Sequence, residues 1–276
     1  MIEYIEKNYI EKNSVEKRDY QINLANQAMN ENCVVVLPTG LGKTTIALHV
    51  IAEYLSKDSF GILFLAPTRV LVNQHFEFLK KNLTIDDITL ITGEDTVEKR
   101  TELWNSRIIC ATPEVARNDL NKKIITSKQF SLVIFDEVHR TTGDYAYSSI
   151  AKHFEDTDTR LLGMTATLPS EQEKATEILT RLKISSVAER TENSPDVKPY
   201  IQETETEWIN VELPPELKSI QKFLKLSLDE RYDTLRKNGL NLNDQQSLSA
   251  LLRLRPFVLA KSRKSAKPLF SGIRIH

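Results

Sequence analysis

Three clusters of residues in this 276-residue chain have types and spacing suited to phosphate chemistry. The first is Pro38-Thr39-Gly40-Leu41-Gly42-Lys43-Thr44-Thr45, set between the apolar run Cys33–Leu37 and a stretch of helical periodicity. Glycines there let backbone amides turn toward phosphate oxygens with no side chain in the way, and the helix start adds its positive end. Lys43 can reach the β- and γ-phosphates, and the Thr44 hydroxyl can ligate Mg2+. The general pattern G-x-x-x-x-G-K-[ST] asks for glycine at position 37, where this chain has Leu37, which weighs against a kinase or small GTPase. The second cluster is Asp136-Glu137-Val138-His139, directly after the apolar run Leu132–Phe135. We expect that run to form a strand beside the phosphate-loop strand. An acid at its end can hold Mg2+, and a neighbouring acid can polarise the attacking water. Asp136 is therefore assigned to the metal, Glu137 to the base and His139 to relaying the nucleotide state. The third cluster is Gly163-Met164-Thr165-Ala166-Thr167, where the hydroxyls of Thr165 and Thr167 can bond the Asp136–His139 segment.

Arg18-Asp19-Tyr20-Gln21 precedes the first helix. The Gln21 amide can donate to and accept from one adenine edge at once, which selects ATP over GTP, and Arg18 is placed in the same subsite. Three further turns each follow a strand: Ala66-Pro67-Thr68-Arg69, Thr92-Gly93 and Ala111-Thr112-Pro113-Glu114. Singly, each reads as an ordinary turn with a helix cap. Together Thr68, Arg69, Thr92, Gly93, Thr112 and Pro113 trace a track able to grip a sugar-phosphate backbone without reading bases.

Such groups need a scaffold that delivers them to one edge. From about residue 20 to 190, apolar runs alternate with helical periodicity. The predicted strands are Cys33–Leu37, Gly61–Ala66, Ile88–Ile91, Arg107–Ala111, Leu132–Asp136 and Arg160–Met164. Continuous apolar runs are buried on both faces, which predicts a parallel sheet flanked by helices in a doubly wound α/β domain, with ligands at the carboxyl ends of the strands. Past residue 200 the pattern changes. Tyr200–Val211 reads as extended. Pro214-Pro215 then opens a long helix with Leu217, Ile220, Leu224, Leu228 and Leu235 on one face, and Gly239 ends it. Asn243 or Asp244 can cap a second helix, Pro256 breaks the periodicity, and 261–276 has no periodic pattern. Two helices are too few to bury their own core, so the segment reads as the start of a helical subdomain.

Composition sets the outer limits. Hydrophobic residues at 40% and charged residues at 27% fit a globular core rather than a disordered chain. No apolar run approaches the roughly 18–20 residues that span a bilayer, and the start of the chain has no secretion-signal pattern, so a cytoplasmic protein without membrane contact is expected. Cys33 and Cys110 sit in strand-like runs as buried thiols, and the five histidines lack metal-ligand spacing. The net charge is only −1, yet residues 207–276 hold thirteen Lys/Arg against seven Asp/Glu. A basic appendage on an acidic body hints at a polyanionic partner.

The ordered set R-x-Y-Q, P-T-G-L-G-K-T, A-P-T-R, A-T-P-E, D-E-V-H and T-A-T resembles the first RecA-like domain of a superfamily 2 helicase. Within that superfamily it resembles the archaeal Hef helicase-nuclease and Fanconi anaemia group M family. Leu37–Thr44, Asp136–Tyr147 and Ser194–Tyr200 carry the narrower match, with Val138 where the family commonly has alanine. The resemblance implies a RecA-like P-loop NTPase domain over 1–203, and a partial helical insert over 204–276 that contacts duplex DNA. It also implies ATP and Mg2+ as ligands, and ATP-driven remodelling of forks and junctions in repair. The family's second RecA-like domain supplies arginines in a Q-x-x-G-R-x-x-R pattern that is missing from this chain. Since an arginine finger contributes about 10³–10⁵ in rate, the chain alone is expected to bind ATP weakly, hydrolyse it slowly and not unwind. Two readings stay open beside this one: an RNA-directed enzyme of the same superfamily, and a nucleotide-gated DNA-binding module without strand separation.

Overall fold

Strands whose residues are apolar on both faces need a layer of helices on each side. The computed structural model, which describes residues 3–57, 60–141, 145–201, 209 and 211–237, has that arrangement. The elements run α1 (Asp19–Asn30), β1 (Cys33–Val36), α2 (Lys43–Lys57), β2 (Gly61–Leu65), α3 (Arg69–Asn82), β3 (Ile88–Ile91), α4 (Val97–Leu103) and β4 (Ile108–Ala111). They continue α5 (Pro113–Asn121), β5 (Phe130–Phe135), α6 (Ala146–Lys152), β6 (Arg160–Thr165), α7 (Gln172–Leu182), β7 (Ser186–Glu189) and α8 (Pro215–Lys237). Among the described residues the strands form one seven-stranded sheet in the order β3-β4-β2-β5-β6-β1-β7. Every ladder in it is parallel, so all strands end on one edge.

Alternation along the strands divides the core in two. Cys33, Val35, Ile62, Phe64, Leu132, Ile134, Leu162 and Met164 pack with α1, α2 and α3 on one face. Val34, Val36, Leu63, Leu65, Val133 and Phe135 pack with α5, α6 and α7 on the other. A period of two on a sheet covered on both sides gives this split. Cys33 and Cys110 are free and buried.

Two features differ from the sequence-based expectation. First, β6 lies between β1 and β5, so the strand ending at Asp136 is not the neighbour of the phosphate-loop strand. Second, β7 is not among the predicted strands. Its sequence Ser-Val-Ala-Glu has no apolar run because it is an edge strand with only Ala188 buried.

The chain divides into two compact units, Met1–Glu203 and Thr204–His276. In the second, α8 begins at Pro215, as the Pro-Pro start predicts, and leaves Leu217, Ile220, Leu224 and Leu228 exposed, while Tyr232 is buried. Gly239, the second helix expected from Asn243 or Asp244, the Pro256 break and the 261–276 tail all lie outside the described residues, as does most of the Tyr200–Val211 segment. Among the described residues no helix is long and apolar enough to cross a membrane.

Helix α2 is covered without interruption from Thr45 to Ala52, and that burial includes a titratable group. His49 is 4% exposed, and its Nε2 has no hydrogen-bond partner. Burial, helped by the nearby Lys7 charge, lowers its pKa from the ordinary 6.5 to about 4. The unfolded chain therefore takes up a proton below 6.5 that the folded chain refuses until about 4. The stability due to neutral His49 is complete above 6.5 and declines as the pH falls toward 4, by on the order of 3 kcal/mol in total. We expect the urea midpoint to drop less between about pH 7 and pH 4.5 in His49→Leu than in the wild type. Equal drops in both proteins contradict this.

Candidate nucleotide site and nucleic-acid edge

The phosphate loop starts where β1 leaves the sheet. Leu37 N–H still bonds the Thr165 carbonyl at 3.1 Å, and Pro38, which has no N–H, ends the ladder. Gly40 and Gly42 adopt φ of +83° and +85°, a backbone conformation that side chains disfavour. A Cβ on Gly40 would meet open space, so conformation alone requires glycine there. At Gly42 a Cβ would also stand 2.3 Å from Gln21 Nε2. The loop is fastened to α1 through the buried Leu41 carbonyl, which accepts from the Tyr20 hydroxyl at 2.7 Å and from Gln21 Nε2 at 3.0 Å. Thr39 is exposed, Thr44 half-buried and Thr45 buried in the first turn of α2.

Gln21 does part of what its side-chain chemistry allowed. Its donor is committed to the loop and the Tyr20 hydroxyl, while its buried Oε1 has no partner. Arg18 bonds Glu16 at 3.0 Å and lies 5.3 Å over the Tyr200 ring, which in turn packs 5.5 Å from Tyr20.

Lys43 heads α2, and its ammonium donates to the Leu37 carbonyl at 2.9 Å. Burial lowers its pKa, against the opposing pull of the Glu137 and Asp136 charges. Both carboxylates thus act on Lys43, even though β6 separates their strands. Gly163 on β6 explains how they reach. It pairs with Val34 on one side and Phe135 on the other, and a Cβ there would stand 2.9 Å from Val34 Cγ2 and 3.1 Å from Val138 Cγ1. With no side chain at Gly163, the turn after β5 folds down over β6 and buries Val138 completely.

Asp136 is 5% exposed, and its N–H bonds the Leu65 carbonyl at 2.9 Å. Glu137 adopts φ 53°, ψ 48°, the left-handed region in which a non-glycine residue is uncommon and costs energy. Glu137 precedes the 3-10 turn Val138–Arg140. His139 Nδ1 lies 3.1 Å from Glu137 Oε2 and 3.0 Å from Thr165 Oγ1, and Thr165 donates to the Thr167 carbonyl at 2.9 Å. The T-A-T segment therefore meets His139 through the Thr165 hydroxyl alone, and Thr167 contributes its backbone carbonyl.

The donor set fits Mg2+. Among the described residues no group of three or more His, Cys, Asp or Glu could hold a metal. Magnesium at nucleotides does not need such a cage: one carboxylate, a hydroxyl, waters and the phosphates suffice. Asp136 and Thr44 are the oxygen donors beside Lys43.

Residues 18–175 match the DEAD/DEAH box helicase family. The chain belongs to that family. It is 43% identical over 225 residues to MJ1505 of Methanocaldococcus jannaschii, provisionally named an ATP-dependent RNA helicase, covering 80% of this chain and 29% of the relative. It is 35% identical over 216 residues to the ATP-dependent DNA helicase MPH1 of Saccharomyces cerevisiae, covering 76% of this chain and 22% of that protein. Among solved structures it is similar to the Pyrococcus furiosus Hef helicase domain, with TM-score 0.72 and 34% identity over 90% of this chain and 54% of that one. The chain thus spans under a third of these curated relatives and about half of the solved domain.

The other half of the sheet edge carries the turns after β2, β3 and β4. After β2, Thr68 caps α3, its hydroxyl accepting from the Leu71 N–H at 3.3 Å, and the exposed Arg69 pairs with Glu94. After β3, the Thr92 N–H donates to Asp95 Oδ2 at 2.9 Å, fixing a tight turn around the exposed Gly93. After β4 the chain turns directly into α5. Thr112 and Pro113 are both buried, and Thr112 makes no side-chain cap, so that turn presents the start of α5 rather than a hydroxyl.

Sequence reasoning missed two residues of this site. His75 on α3 contacts Asp136 Oδ2 at 2.8 Å, and its spacing with Val72 and Leu79 made it one more member of a buried face. The Tyr147 hydroxyl donates to the Asp136 carbonyl at 2.8 Å and the Leu65 carbonyl at 3.2 Å, tying the ends of β5 and β2 together. The Asp136–Tyr147 stretch contained Tyr147, but only the folded chain gives it those partners.

Proposed function

We propose that this chain is the ATP-binding and ATP-hydrolysing half of a DNA helicase or translocase that acts on forks and junctions in repair. What supports the reading most is one arrangement: Lys43, Asp136, Glu137, His139 and Thr165 linked across β1, β5 and β6, on the same sheet edge as the Thr68, Arg69, Thr92 and Gly93 turns. In this reading Lys43 and the loop amides hold the β- and γ-phosphates of ATP, and Gln21 and Arg18 select and cover adenine. Asp136 and Thr44 hold Mg2+, which when bound neutralises charge on the phosphate oxygens. Glu137 takes a proton from water as the water oxygen bonds the γ-phosphorus and the bond to the ADP oxygen breaks. His139 and Thr165 carry the change between acid pair and β6. Residues from 204 on begin a helical insert, supported by the separate unit, the 23-residue helix α8 and the basic excess of its sequence. An enzyme of this kind works where ATP and DNA meet, and we assign it to the cytoplasm.

DNA is preferred because MPH1 is a DNA helicase by name and because the Asp136–Tyr147 stretch resembles the branched-DNA family. The provisional name of MJ1505 keeps RNA as the second reading. Single-turnover ATP hydrolysis by the chain supplied with a second RecA-like domain, with forked DNA, duplex RNA or single-stranded RNA added, separates them. Forked DNA is expected to give the largest rate increase, and Lys43→Ala is expected to remove it. A larger increase with either RNA overturns the DNA assignment. Equal rates for wild type and Lys43→Ala overturn the ATPase reading itself.

A further inference from the structure

Asp136 is held by more of the protein than its own strand. His75 and Asp136 are both buried, with side chains 10% and 7% exposed, and their Nε2···Oδ2 distance is 2.8 Å. A carboxylate can only accept, so Nε2 carries the proton of this bond. The imidazole is fixed in turn by Phe64 on β2, whose ring centroid lies 4.4 Å away at an interplanar angle of 36°. The Asp136 backbone is pinned on both sides, its N–H on the Leu65 carbonyl and its carbonyl under the Tyr147 hydroxyl. Those contacts leave both side-chain torsions of Asp136 open; the His75 bond to Oδ2 constrains them and leaves Oδ1 as the oxygen available to a metal.

We propose that His75 is a positioning residue for nucleotide-bound Mg2+, acting through Asp136. The proposal rests on the assignment of Asp136 to the metal made above. His75 stands on α3, about 10 Å along the helix from the Thr68–Arg69 turn at the usual rise per residue. The same bond thus joins the metal carboxylate to the element that starts at the backbone-binding track. The competing role for His75 is packing: a buried ring against Phe64 that happens to be satisfied.

Two variants separate hydrogen bonding from packing. His75→Phe keeps the aromatic ring and removes the donor. His75→Gln supplies an amide donor and removes the ring. The readouts are the affinity for Mn2+ in the presence of ADP by electron paramagnetic resonance, the affinity for a fluorescent ADP analogue in EDTA, and thermal unfolding without metal. Partners that orient metal ligands typically contribute 10- to 100-fold in metal affinity. His75→Phe is expected to weaken Mn2+ binding by about tenfold or more, with metal-free ADP affinity at the wild-type value and a lowered melting temperature, because a buried carboxylate loses its donor. His75→Gln is expected to recover most of that loss. Wild-type Mn2+ affinity in His75→Phe overturns the proposal. So does a loss in His75→Gln as large as in His75→Phe, because it points to packing. Asp136→Ala is the control for the underlying reading. If it binds Mn2+ with ADP as tightly as the wild type, the assignment of Asp136 is wrong whatever His75 does.

Discussion

Glu137→Gln is expected to slow ATP hydrolysis by about 10²- to 10⁴-fold, the contribution of a positioned general base, with nucleotide affinity unchanged. The substitution is nearly isosteric. The left-handed backbone at φ 53° is no harder for glutamine than for glutamate. The amide oxygen can still accept from His139 Nδ1, which lies 3.1 Å from Glu137 Oε2, so the link to Thr165 is kept. What disappears is the ability to take a proton from water. Single-turnover hydrolysis with protein in excess over labelled ATP measures the rate, and equilibrium binding of a fluorescent ATP analogue measures the affinity. A rate within threefold of wild type, on the order of half a kcal/mol in barrier, removes Glu137 from the chemistry. A parallel loss of affinity reassigns it to binding.

Asp119→Ala is expected to have the largest effect on stability, a loss of about 3–5 kcal/mol, as for a buried ion pair broken on one side. Asp119 is fully buried on α5. It accepts from Arg100 Nε at 2.8 Å and Nη2 at 2.9 Å in a bidentate pair, and from Trp104 Nε1 at 2.9 Å. The Arg100 side chain is 11% exposed and Trp104 3%, so removing the carboxylate strands a cation and an indole N–H away from water. Arg100 also donates to the Asp95 carbonyl at 2.6 Å, and Asp95 holds the Thr92 N–H. The clamp therefore ends at the Thr92–Gly93 turn, and its loss should loosen that part of the nucleic-acid edge as well. Urea unfolding measures the first effect. A change under about 1 kcal/mol, the size of an exposed ion pair, shows that Arg100 finds solvent instead.

Local chemistry was readable where one stretch contains its own reason. The loop from Pro38 to Thr45 needs two glycines for backbone conformation, a lysine for phosphate and a strand before it, and all are contiguous. The acids at 136 and 137 follow an apolar run that ends where the sheet ends. Strand positions were readable for the same reason, since six of the seven are apolar runs; β7 was not, because an edge strand need not be apolar. The burial of the Thr112-Pro113 turn was not readable. Its composition suited an exposed contact, but burial depends on what packs above it, and both residues are covered.

The sequence by itself determined the phosphate loop, the acid pair, the alternation of strand and helix, and the ordered motifs that resemble a helicase. Each of these rests on covalent neighbours and backbone preference. The tertiary structure alone decided that β6 separates the two halves of the nucleotide site and that Gly163 allows Val138 to fold across it. It also decided that the Gln21 donor serves the loop, and that His75, 61 residues away in the chain, bonds the Asp136 carboxylate. Those contacts join residues far apart in sequence, and which of them meet depends on strand order and on the volume left between layers.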